Sequence, residues 1–159
     1  MYLILQNYRI KYIYIYTMYT YHIKVKSTDN GNKYFISNYN ENTYIEAPSL
    51  QIESNKTITF VIADDSVQNH PLYISTSNDK GSNKILNDSN AGIIGNGIKL
   101  KGEILTLTIP PGSSLVDSTL YYVCGNHLGM GNSISVTNHK IKMELKYNNR
   151  TGCILINEC

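Results

Sequence analysis

At 159 residues the chain can bury a sizeable core, and it most simply forms one domain with some extra chain. A formal net charge of +2 argues against a dedicated nucleic-acid binder, which should show a clustered basic face, and three cysteines are too few, and odd in number, for a disulfide scaffold. With no Trp and two Phe, Tyr and Ile must carry most of the large apolar surface.

Residues 1–20 are unusual. Met1 to Leu5 is apolar, but Gln6, Asn7, Arg9 and Lys11 follow at once. No apolar run reaches the length of a membrane helix, and the basic, apolar, small-residue order of a signal peptide is missing. Residues 12–16 alternate Tyr and Ile. Two readings stay open: a strand buried on both faces, or an N-terminal extension with Met18 as an alternative start.

From residue 21 the pattern is regular. Residues 22–26 alternate as a half-buried strand does, and Asp29, Asn30 and Gly31 signal a turn. Residues 34–36 form a second short strand, and residues 43–46 and 50–52 further extended pieces on either side of Pro48. Residues 57–62 are β-branched and aromatic, which predicts a strand burying Ile58, Phe60 and Ile62. A polar connection with Asp64 and Asp65 leads to His70, where the next strand is expected to begin. Residues 77–90 read as a polar surface excursion. Residues 91–98 hold too many glycines for a helix. Residues 103–109, 119–124 and 133–136 are strands, the last two closing the core.

No segment keeps a helical period over three turns. Short strands separated by Gly, Asn and Pro turns predict an all-β fold, an antiparallel Greek-key β-sandwich over residues 21–137. Residues 140–147 alternate again, so residues 138–159 read as a C-terminal extension with an added strand or a partner-seeking tail. Cys153 and Cys159 are left either to pair or to remain tail thiols.

The loop Cys124, Gly125, Asn126, His127, Leu128, Gly129, Met130 carries the chemistry. It places a thiol, an imidazole and a thioether as Cys-x2-His-x2-Met. A soft thiolate, an imidazole nitrogen and a weak thioether are the donor set copper prefers. A second imidazole must come from elsewhere, and His70 is the natural candidate, leaving His70, Cys124, His127 and Met130 as metal ligands. Gly125, Gly129 and Gly131 are expected to allow the tight turn and positive φ. Zinc competes, since Cys with two His also holds it, and Met130 is what discriminates. Taken singly, each residue is more simply a core or surface group; the weight comes from their combination. His22 and His139 lie in or beside solvated stretches and read as surface residues. Asp64 and Asp65 lack any water-activating companion and read as a solvated loop.

The run NHPLYIST, followed downstream by STLYYVCGNHLGMGNSISV, resembles the cupredoxins, the plastocyanin-, azurin- and amicyanin-like type 1 copper proteins. The spacing is similar to that of the short-loop, amicyanin-type members. The resemblance implies a Greek-key sandwich holding one copper ion, Cu(II) or Cu(I), per chain. His70, Cys124 and His127 would be strong ligands and Met130 the weak axial one. It also implies one-electron transfer to a redox partner docking transiently near His127 and Leu128, and an extracytoplasmic location. A closed four-ligand site offers no place for substrate, so no enzymatic activity is expected, and the chain is expected to act as a monomer. One departure stands out. In better-known members an Asn follows the first ligand His and its backbone N–H braces the Cys sulfur; here that residue is Pro71, which has no N–H. Two further readings remain: a metal-free cupredoxin-like sandwich acting as a structural or protein-interaction module, and copper storage or delivery without redox cycling.

Overall fold

A computed structural model describes residues 18–38, 43–78, 91–138, 143–148 and 153–158. Among the described residues twelve strands succeed one another: β1 Met18–Thr28, β2 Gly31–Asn38, β3 Ile45–Glu46, β4 Leu50–Glu53, β5 Thr57–Ile62, β6 Leu72–Ser75, β7 Gly92–Ile94, β8 Ile104–Thr108, β9 Thr119–Cys124, β10 Ser133–Thr137, β11 Met143–Asn148 and β12 Cys153–Glu158. A 3-10 turn, Asp65–Val67, precedes β6. Among the described residues no helix is long and apolar enough to cross a membrane.

Two sheets face each other, one in the order β3-β2-β1-β5-β8-β7 and the other in the order β4-β10-β9-β6. The chain passes between them at the β3–β4, β4–β5, β5–β6, β6–β7 and β8–β9 connections. The fold is thus the expected β-sandwich, but its sheets are mixed rather than wholly antiparallel. β1 runs parallel to β5, pairing Tyr21 with Phe60, and β4 runs parallel to β10, pairing Leu50 with Ile134. Parallel neighbours cannot be joined by a tight hairpin, and the crossings between sheets provide the return path.

Alternation along the strands builds the core. Ile58, Phe60 and Ile62 of β5 are buried as predicted, against Leu105 and Leu107 of β8 and Ile23 of β1. The facing sheet contributes Ile52, Leu72, Ile74, Leu120, Tyr122, Ile134 and Val136. Tyr34 and Tyr122 are fully buried, so tyrosine does fill the place of the missing tryptophan. Each keeps its hydroxyl satisfied, Tyr34 donating to the His70 carbonyl at 2.7 Å and Tyr122 to the Pro48 carbonyl at 2.7 Å.

Several expectations shift in detail. β1 starts at Met18, inside the stretch assigned to an extension, whereas residues 1–17 lie outside the described residues. His70 lies in the turn before β6 rather than in the strand. The glycine-rich stretch contains the short strand β7. Residues 153–158, read as a short end, are β12, which pairs antiparallel with β11 in a hairpin sheet of its own, Leu145 opposite Ile156.

Candidate metal centre

Two neighbouring strands of the four-stranded sheet bring the site together. β6 and β9 pair antiparallel with Leu72 opposite Cys124, and Gly125 N donates to the Pro71 carbonyl at 2.9 Å, so the ladder runs one step past both strands. His70 therefore arrives beside the 124–130 loop, and Asn126 Nδ2 ties the two segments by donating to the Asn69 carbonyl at 3.0 Å.

Local turns deliver His70. Asp64 caps the 3-10 turn, its side chain accepting from Ser66 N at 3.0 Å. The Val67 carbonyl at the end of that turn accepts His70 N at 2.8 Å. One of the paired acids read as solvated thus has a structural task.

The donors converge. Cys124 Sγ is 3.9 Å from His70 Nδ1 and 3.7 Å from His127 Nδ1, and the two Nδ1 atoms are 3.1 Å apart. The two imidazole rings have centroids 4.7 Å apart and are tilted by 48°. Among the described residues these three are the group of His, Cys, Asp and Glu side chains whose donor atoms, all within 4.8 Å of one another, could hold an ion. Nitrogens about 2.0–2.1 Å and a thiolate sulfur about 2.3 Å from one ion stand about 3–4 Å apart at bond angles of about 100–130°. The triangle therefore has the size a single ion requires, and its donor types suit copper.

Cys124 is 1% exposed and forms no disulfide, His70 is 8% exposed, and His127 is open to solvent. Burial, and then the neighbouring His127, push the His70 imidazole below its ordinary pKa, which favours the neutral ring that a metal needs. Tyr34 is raised well above the ordinary tyrosine value, first by burial and then by the Cys124 thiol beside it. The sulfur accepts Asn126 N at 3.4 Å. With Pro71 after His70, this backbone N–H comes from the ligand loop itself.

Met130 is 1% exposed, in the core cluster, and its carbonyl accepts Tyr34 N at 2.9 Å. The same Tyr34 reaches His70 through its hydroxyl. The structure thus brings His70, Cys124 and His127 into one triangle and ties the backbone of Met130 to the same tyrosine. His22 lies on β1 outside the cluster, and His139 lies outside the described residues.

The loop glycines differ from expectation. Of the three, Gly129 alone has positive φ, at +67°. Gly125 and Gly131 are needed for close approach instead: a Cβ on Gly125 would lie 2.7 Å from the Tyr73 ring, and one on Gly131 would lie 1.8 Å from the Tyr122 carbonyl oxygen.

Sequence reasoning missed Asn32 and Lys33, and read Tyr34 only as a strand residue. Asn32 Nδ2 lies 3.4 Å from His70 Nε2, and Lys33 Nζ donates to the Gly129 carbonyl. No spacing in the chain could signal these contacts, because β2 belongs to the opposite sheet.

No family model matches the chain, and no curated protein does. Among solved structures the chain is similar to rusticyanin, a cupredoxin. Reduced rusticyanin is 14% identical over 76% of this chain and 79% of that one, with a TM-score of 0.42. A substituted rusticyanin is 15% identical over 76% of this chain and 77% of that one, also at 0.42. A multicopper oxidase variant from the hyperthermophile Aquifex aeolicus is 14% identical over 78% of this chain and 27% of that one, at 0.39. These are distant likenesses of fold, and nothing about the metal centre rests on them.

Proposed function

We propose that this chain binds one copper ion through His70, Cys124 and His127, that Met130 would serve as a weak fourth ligand, and that the chain works as a one-electron carrier. The observation that carries the reading is the donor triangle: one sulfur and two imidazole nitrogens 3.1–3.9 Å apart at the end of two paired strands. Bound copper would supply a centre that alternates between two oxidation states.

The chain's own residues supply the rest. The β6–β9 ladder and the Gly125–Pro71 bond fix the spacing of Cys124 and His70, so the donors need move little when an electron arrives or leaves. Asn126 N–H holds the sulfur by a hydrogen bond, which withdraws charge from it and tunes the potential. Core packing around Cys124 and His70 keeps water from the buried side. His127 is exposed and is followed by Leu128, 64% exposed, which puts an apolar side chain at the surface next to one ligand. That combination suits brief docking of a redox partner. A full set of four donors would leave no position for a substrate, so the proposed role is that of a carrier rather than a catalyst.

Voltammetry of the copper-loaded protein tests the carrier role. A reversible one-electron couple in the wild type, absent in Cys124→Ala, is the expected result. Tight Cu(I) binding without a reversible couple would move the reading to storage or delivery. An identified partner that binds Cys124→Ala as well as the wild type, with no copper bound by either, would favour a metal-free interaction module.

A further inference from the structure

The proposed centre takes its donors from two segments of one sheet, whereas much of what ties those segments together comes from the other sheet. Three consecutive residues of β2 reach both segments. The Asn32 amide lies 3.4 Å from His70 Nε2, and Lys33 Nζ donates to the Gly129 carbonyl. Tyr34 donates twice, from its backbone N–H to the Met130 carbonyl at 2.9 Å and from its hydroxyl to the His70 carbonyl at 2.7 Å. The ring and backbone of His70 and two carbonyls of the ligand loop are therefore referred to one short, rigid run of strand.

We propose that Asn32, Lys33 and Tyr34 are a positioning clamp for the ligands, in which Asn32 selects the His70 tautomer that carries its proton on Nε2 and turns a bare Nδ1 toward Cys124 and His127. The proposal rests on the copper reading above and deepens it.

A neutral imidazole has one N–H and one lone pair. Nδ1 is the nitrogen that faces the cluster, 3.1 Å from His127 Nδ1 and 3.9 Å from the sulfur. It can serve as a ligand only if the proton sits on Nε2, and that N–H then needs an acceptor. The Asn32 amide lies within reach, 3.4 Å from Nε2. Its oxygen and nitrogen exchange places by a half-turn of the amide, so it can present the oxygen to Nε2–H. Lys33 and Tyr34 act on backbone instead. They hold the loop at Gly129 and Met130 against the same strand that contacts His70, so the 124–130 loop cannot drift away from the imidazole. Asn32 itself is solvent-exposed, so its removal should alter the tautomer without unsettling the core.

Two measurements test this, one without metal. Long-range proton–nitrogen NMR of the metal-free protein near neutral pH should show His70 in the Nε2–H form. Asn32→Ala should move it toward Nδ1–H, and Asn32→Asp, whose carboxylate also accepts, should restore it. In parallel, Cu(II) affinity should fall roughly 10- to 100-fold in Asn32→Ala and recover in Asn32→Asp, with the thermal midpoint of the metal-free protein unchanged. A wild-type Nδ1–H tautomer, or an Asn32→Ala protein with unaltered tautomer and affinity, would overturn the proposal. The expected tautomer shift in a protein that binds no copper would uphold Asn32 and sink the copper reading. An intact copper centre whose tautomer ignores Asn32 would do the reverse.

Discussion

Gly131→Ala is the sharpest test of how the ligand loop is held. The added Cβ would stand 1.8 Å from the Tyr122 carbonyl oxygen and 2.8 Å from the Tyr122 carbonyl carbon. Carbon and oxygen approach to about 3.3–3.6 Å even in a favourable contact, so the loop must retreat from β9 by about 1.5 Å. The obstacle is backbone in a paired strand and cannot rotate aside. Hydrogen bonds flank the glycine on both sides: Met130 O accepts Tyr34 N at 2.9 Å, and Asn132 O accepts Tyr122 N at 3.1 Å. Overpacking costs about 1–3 kcal/mol and each of the two weakened hydrogen bonds about 0.5–1.5 kcal/mol, which together predict a loss of about 4 kcal/mol. Gly112→Ala is the control. Its φ of +74° imposes left-handed strain of about 1–2 kcal/mol, yet nothing lies within 4 Å of the new carbon. Urea unfolding of the metal-free proteins, compared at equal m-value, reads both. Gly131→Ala should lose more stability than Gly112→Ala and should bind copper more weakly, because Met130 moves with the loop. A Gly131→Ala protein no less stable than the control would refute the reasoning.

Cys124→Ala should abolish the thiolate-to-copper absorption while leaving far-UV circular dichroism unchanged, since a small buried side chain is traded for a smaller one; retention of the band would remove Cys124 from the site. Met130→Leu, a nearly volume-conserving exchange, should keep one copper per chain and move the reduction potential; loss of all binding would make Met130 a principal rather than an axial ligand. Tyr34 and Tyr122 both have their ionisation pushed above the ordinary value, chiefly by burial. Unfolding exposes phenols that ionise near pH 10, so the unfolded chain loses protons first and stability must fall as pH rises beyond that point. The expected slope is about 1.4 kcal/mol per pH unit for each of the two. Tyrosinate absorbance for this pair should appear together with loss of structure; ionisation in the intact fold would contradict their burial.

Much of the architecture is legible in local pattern. β5 and β9 have the bounds that their apolar, β-branched runs suggest, and Cys124 ends its strand with the ligand loop directly after it. The site's composition is legible too, because Cys-x2-His-x2-Met is a short-range signal. What was not legible is non-local. The parallel pairing of β1 with β5 depends on which sheet each crossing joins, and alternation within a strand carries no information about its neighbour. His70 reads as a strand start because Leu72, Tyr73 and Ile74 follow it, whereas the cap at Asp64 and the Val67 carbonyl hold it in a turn. Gly125 and Gly131 look like residues chosen for backbone freedom, yet it is the Tyr73 ring and the Tyr122 carbonyl that exclude a side chain there. The contacts of Asn32 and Lys33 span 38 and 96 residues of sequence, and only the packing of the two sheets creates them.

The most direct test of the metal centre is a titration of the purified, reduced protein with Cu(II), followed by visible absorption and EPR. The donor triangle predicts an intense thiolate-to-copper band that saturates at one equivalent, with a narrow copper hyperfine splitting. The absence of such a band, with Cys124 still reactive toward a thiol reagent, would contradict a copper site built on His70, Cys124 and His127.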